Sequence, residues 1–346
     1  MVVAISLVFF IASFFALFEE KLAKDKWYVY ILLGIALIVI ATVKPLGVDN
    51  DSYTYEDYFF NYDSPIFENT VEFSYLWLSK LFYHAFKDVH YVFFVYALLG
   101  VTIKFLAFKR LSPMPFLVVS VYVCTSYVLH EFTQIRAGVA TGFILLSLKP
   151  MIEGRKLHAV GYILLAFVFH YSSILALPLL LLSNNELTKR DRMKWVVFML
   201  SGYVIYFLHI QLAALPIPYI GDKLEGYQNL KDQGFMDEVN VFNLVYLTKI
   251  AIFCYLMYFY DTIREHNKYF PFMMKIFSLS LFCFTALSSV PAICFRVSEL
   301  YGIVSLILYT NIYYTIRPSW LGKLTVIAIS FTLFCITVFY NKLIQY

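Results

Sequence analysis

The run CTSYVLHEFTQIRAGVATGFILL, residues 124–146, sets Glu131, Gln134 and Arg136 close together between long apolar stretches. A charge at such a depth is costly, and where one occurs it usually serves a site or a path. Arg136 opens a run with small residues at Gly138 and Gly142, a spacing that lets a neighbouring helix approach closely. At the start of a helix its guanidinium would join the free N–H groups there in holding an anion. Arg296, in SSVPAICFRVSELYG, repeats the theme, with Glu299 one turn on. Two guanidinium forks suit two phosphates, because each matches a phosphate bidentately. His170, in AFVFHYSSILAL, is a group able to take a proton from a hydroxyl near neutral pH. The stretch GVDNDSYTYEDYFFNYD interleaves Asp49, Asp51, Glu56, Asp57 and Asp63 with tyrosines such as Tyr55. Carboxylates accept hydroxyl protons and rings stack on flat sugar faces, so this stretch reads as a carbohydrate cradle.

The elements that must position these groups follow from composition. The chain has 346 residues, 61% hydrophobic and only 14% charged. A soluble domain carries about a quarter charged residues, so the surplus apolar surface calls for a membrane. The runs are continuous rather than alternating, which predicts an all-α polytopic transmembrane bundle and not a barrel. The N-terminal apolar run has no basic stretch before it and reads as a first span. Threading the runs by the cation bias of cytoplasmic loops gives spans over 2–18, 28–43, 90–108, 115–130, 133–149, 195–213, 243–260, 272–290, 298–315 and 323–341. The run 157–182 reads as a broken pair of short arms interrupted at His170–Ser173. With that pair there are about 12 membrane segments in one domain. Residues 71–86 alternate polar and apolar groups at helical spacing and read as an amphipathic helix lying at the outer interface. The loops 44–70 and 214–242 then face outward, the second with the prolines and glycines of a structured or lid-like loop. Two thirds of the 27 lysines and arginines fall on the inner side, Lys104, Lys275 and Lys323 among them. The net charge of +4 is therefore accounted for by topology and gives no sign of a nucleic-acid partner.

On this threading Arg136, Arg296, His170 and the acidic loop share the outer face. A lipid-linked sugar fits that set, its diphosphate on the arginines and its glycan among carboxylates and tyrosines. Asp49-Asn50-Asp51 has the form of a metal-binding D-x-D, but it lies outside, where nucleotide sugars are absent. The loop also lacks the spacing of a calcium-binding EF-hand. The five cysteines form no C-x-x-C pair, and no metal site is expected. A transporter or flippase of lipid-linked glycans is the main rival, although such proteins place their sites near the midplane and repeat their halves. No repeat is visible here.

In motif order the chain resembles the EpsG family of bacterial polysaccharide polymerases, the Wzy-type O-antigen and exopolysaccharide polymerases. The resemblance rests on Asp51, Tyr55 and Phe59 after the second span, and on Glu72-Phe-Ser-Tyr-Leu opening the amphipathic segment. It continues through Ile135-Arg136-Ala137-Gly138-Val139-Ala140, then Phe169-His170-Tyr171-Ser172, then Arg296 and Tyr301. The family's glutamine after the arginine is Ala137 here, and Gln134 lies two residues upstream on another face. The resemblance implies a bacterial inner-membrane polymerase acting at the periplasmic face. It would pass a growing glycan from undecaprenyl diphosphate to the next lipid-linked repeat, with no metal and no cofactor. Arg136 and Arg296 would then stabilise the departing diphosphate, with Gln134, Glu299, Tyr55 and Asp49 lining the substrate. His170 or Asp51 would be the base. A chain-length regulator is the protein partner such systems usually have. A sibling reading is a transferase moving one polyprenyl-linked monosaccharide.

Overall fold

The long apolar runs become helices because a helix satisfies its own backbone where water cannot. The computed structural model describes residues 1–22, 26–68, 70–210, 239–340 and 342–344. Most of the 214–242 loop, together with Lys24 and Asp25 of the first basic loop, lies outside the described residues. The main helices are α1 (Val2–Phe18), α2 (Lys26–Thr42), α3 (Ser52–Phe60), α4 (Phe73–Ala85), α5 (His90–Leu111), α6 (Pro115–Thr125) and α7 (Ile135–Ile152). They continue with α8 (Lys156–Phe169), α9 (Lys189–Phe207), α10 (Leu244–Tyr258), α11 (Phe270–Ala286), α12 (Pro291–Gly302) and α13 (Ser319–Cys335). No strand occurs among the described residues. Proline at the first turn starts α6, α11 and α12, where its missing N–H costs nothing.

The chain divides into two units, Met1–Leu180 with Tyr309–Tyr346, and Leu181–Leu308. In the first, α5 is central, packing on α2, α4, α6 and α7, while α1 and α13 pack on α6. The α7–α8 hairpin turns through Gly154, whose φ of +74° favours glycine. In the second unit α11 packs on α9, α10 and α12. A capping box between Thr188 and Asp191 opens α9, and the Asn243 side chain caps α10.

Apolar side chains also line outward faces of the first helices. On α1, Val3, Leu7, Phe10 and Phe14 are exposed; on α2, Ile31, Leu32, Ile35 and Val39. Water would not tolerate such stripes and hydrocarbon does, so this is a multi-pass membrane protein.

Of the expected segments, 4 described helices are long and apolar enough to cross by themselves, and up to 5 if the bent pair Pro291–Gly302 and Ser305–Thr315 is one span. Others, such as Lys26–Thr42, Pro115–Thr125 and Phe270–Ala286, are apolar helices of 10–17 residues. The run 115–130 ends its α-helix at Thr125 and passes through a π-helical turn, Val128–Thr133. The run 157–182 breaks where expected, with α8 ending at Phe169, His170 extended and a 3-10 helix over Tyr171–Leu181.

Three lysines counted as inner-loop cations sit inside the protein instead. Lys104 lies midway along α5 and donates to Glu131 Oε1 at 2.6 Å and to the Gly138 carbonyl at 2.5 Å. Lys275 is 2% exposed and binds the carbonyls of Ser183 and Asn185, and Lys323, also 2% exposed, pairs with Glu20. Each has internal acceptors that offset the cost of burial, which the loop-counting rule does not anticipate.

Candidate active site

Three separate breaks in the helical frame bring the central groups of the first unit together. Glu72 stands in extended conformation just ahead of α4. Arg136 is in the first turn of α7, after the irregular residue Gln134. His170 is the extended residue that ends α8. The Glu72 carboxylate bridges the other two: Oε2 accepts from Arg136 Nη1, and Oε1 lies 2.8 Å from His170 Nδ1. The Glu72 side chain is 7% exposed, that of His170 15% and that of Arg136 20%. The cluster is thus enclosed but still reachable.

The electrostatics explain the pairing. A cation in the first turn of a helix opposes the positive end of the helix dipole, so Arg136 needs an acid beside it, and Glu72 supplies one. Burial alone would raise the Glu72 carboxyl. The His170 hydrogen bond and the Arg136 charge outweigh that and hold it down at about 2. Glu72 is therefore a carboxylate at any physiological pH.

Tyrosines pack beside the arginine. Ser52, Tyr55 and Phe59 form the buried face of α3. The guanidinium carbon of Arg136 lies 5.5 Å from the Tyr55 ring and 5.8 Å from that of Tyr58, a cation–π arrangement. Tyr75 donates to the Tyr55 carbonyl at 2.7 Å, fixing α4 to α3. Ser74 and Tyr96 join their hydroxyls at 3.0 Å, and the Phe73 N–H donates to the Tyr171 hydroxyl at 3.1 Å. Burial pushes the Tyr55 phenol up to about 12 against the pull of Arg136, so it remains a neutral hydroxyl.

Arg136, His170 and Tyr55, picked out in the sequence, thus meet in one cluster. Glu131 binds Lys104 and the Tyr122 hydroxyl, and Glu299 is within electrostatic reach of Lys249. Asp49 is buried, paired with Lys44 at 2.8 Å, and it accepts the Asp51 N–H at 3.0 Å. Asp51 is half-buried at the start of α3, where its carbonyl takes the first helical bond from Tyr55. Gln134 caps α7 through its backbone, accepting from the Gly138 N–H at 2.8 Å. Arg296, exposed, and Glu299, half-buried, lie on α12 in the second unit. Sequence reasoning did not rank Glu72 as a site residue. Its signal was an acid immediately before an amphipathic helix, the same acid that opens the second motif of the resemblance.

An imidazole oriented by a carboxylate and flanked by a guanidinium is the equipment of a proton-transfer site that also handles an anion, here set in an all-helical multi-pass membrane protein. The chain belongs to the EpsG family, whose model matches residues 27–346. That membership makes it a membrane protein of the exopolysaccharide and O-antigen polymerase kind, with the glycosyltransferase-like chemistry this implies. No curated protein and no solved structure matches it.

Proposed function

We propose that the protein is a polymerase that joins undecaprenyl-diphosphate-linked repeat units at the periplasmic face of the inner membrane, with Glu72, Arg136 and His170 as its reaction centre. The observation that carries this reading is the single carboxylate touching both the histidine and the arginine. Nδ1 of His170 is committed to Glu72, which leaves Nε2 to meet a substrate hydroxyl. In the reaction the acceptor hydroxyl attacks the anomeric carbon of the donor glycan. Its proton passes to His170 Nε2, and the bond from the anomeric carbon to the diphosphate oxygen breaks, the electron pair leaving with the diphosphate. Glu72 stabilises the imidazolium that forms, as the buried acid does in other carboxylate–histidine pairs. The part of the Arg136 fork not held by Glu72 or Tyr55 is proposed to face the charge developing on the leaving group. The exposed acids Asp57 and Asp63 and the exposed ring of Tyr53, on α3 or just past its end, are proposed to supply hydroxyl acceptors and a stacking surface for sugar. Arg296 is proposed separately as a phosphate ligand, with its own alanine variant as the test.

The test is chain growth by purified protein in detergent, given two molecules of lipid-linked repeat. A polymerase lengthens the glycan without a sealed bilayer, whereas a flippase or transporter leaves it unchanged. A ladder of products supports the proposal, and transfer of only one monosaccharide identifies the sibling transferase instead.

A further inference from the structure

Apart from the cluster around Glu72, the first unit carries a lateral groove of about 350 Å³ between α2 and α5. Its walls are Ile31, Ile35 and Ile38 on one side and Leu98 and Leu106 on the other. Four of these form an open rim, with Ile31 57%, Ile35 50%, Leu98 40% and Leu106 46% exposed. One end is cationic. Lys109 lines it, its Nζ 4.0 Å from the centre of the Trp27 ring, and beside it stands Lys26, whose Nζ is 5.6 Å from the same ring and donates to the Glu19 carbonyl at 3.4 Å. The end holding Lys109 is the last turn of α5, and the other end, at Leu98, lies in its third turn.

We propose that this groove binds one anionic glycerophospholipid, its acyl chain along the isoleucines and leucines and its phosphate between Lys26 and Lys109. An apolar slot open to the side admits a hydrocarbon chain and excludes free water-soluble ligands. Two ammonium groups at one end select a negative headgroup, and basic pockets between membrane helices hold such headgroups. Trp27 suits the boundary between chain and headgroup, where amphipathic rings concentrate. Tyr30 donates to the Phe105 carbonyl at 2.9 Å and ties the two walls together at the floor, so the groove is a fixed feature of the α2–α5 contact. The proposal is independent of the polymerase reading, because none of these residues belongs to the Glu72 cluster.

The test is native mass spectrometry of the full chain released from bilayers holding equal phosphatidylglycerol and phosphatidylcholine. The wild type is expected to retain phosphatidylglycerol about tenfold over phosphatidylcholine, a difference of about 1.4 kcal/mol. Lys26→Gln with Lys109→Gln is expected to reduce that ratio to parity, and Ile35→Trp, which fills the groove, to remove the retained lipid of either kind. Lys109→Arg keeps the charge and is expected to keep the preference, which guards against a folding defect in the glutamine variant. No preference in the wild type overturns the proposal, as does an unchanged preference in the double variant. Displacement of the lipid by equimolar undecaprenyl phosphate also overturns it, since the groove would then hold a polyprenyl chain.

Discussion

A carboxylate that holds a guanidinium and an imidazole at once has two roles, and substitution separates them. If His170 is the base, His170→Ala slows chain growth about 10²–10⁴-fold. Glu72→Gln keeps the shape but loses the charge that steadies the imidazolium, and is expected to slow it about 10–100-fold. Both are read from product ladders at matched protein. The second role is structural and pH-dependent. The Glu72 carboxyl lies below its ordinary value of 4.5, held at about 2. Its stabilising contribution is complete above 4.5 and is lost as the pH falls through about 2. Thermal melting in detergent is therefore expected to show wild type above Glu72→Gln at neutral pH, by on the order of 2 kcal/mol, with the gap closing in strong acid. Arg136, His170 and Tyr55 were legible in the sequence because charge and polarity stand out in apolar runs. Glu72 was hidden because an amphipathic helix carries acids for ordinary reasons. Only the meeting of three helix ends, far apart in sequence, gives it a role.

The helices around the site are held by close contacts at glycines. A Cβ on Gly138 would stand 2.1 Å from the His130 carbonyl, and one on Gly100 2.4 Å from Glu131 Oε2. Gly138→Ala must therefore move the start of α7 and Arg136 with it. It is expected to destabilise by about 1–3 kcal/mol and to slow chain growth more than its effect on melting explains. Beneath the site, Lys104 and Glu131 form a buried pair, their side chains 0% and 1% exposed. Lys104→Met leaves Glu131 as an uncompensated buried acid and is expected to cost about 3–5 kcal/mol. Adding Glu131→Leu should recover much of this, and chemical or thermal unfolding of the single and double variants decides the matter. The helices and the break at His170 were readable from apolar periodicity and from polar residues interrupting it. The π-helical turn at Val128–Thr133 was not, since it has no residue signature. Nor was the burial of Lys104, whose partner comes from a turn 27 positions along the chain.

At the scale of the molecule, composition was enough to read an all-helical membrane protein, and the apolar outward faces of α1 and α2 agree with it. It was not enough to decide how many segments cross, because several runs split into shorter helices whose ends are set by packing. The proposed orientation has a direct check. In a cysteine-free background, Asp57→Cys is expected to react with an impermeant thiol reagent added to intact spheroplasts, and Glu153→Cys only after the membrane is opened. The reverse pattern would put the Glu72 cluster on the cytoplasmic side. Glycan transfer by the Glu72-bridged histidine and arginine is measured as the initial rate of chain growth from lipid-linked repeats, with purified wild type and His170→Ala side by side. Long ladders are expected from the wild type and unextended repeats from the variant; ladders of equal length and rate from a folded His170→Ala protein would rule out a reaction centre at His170.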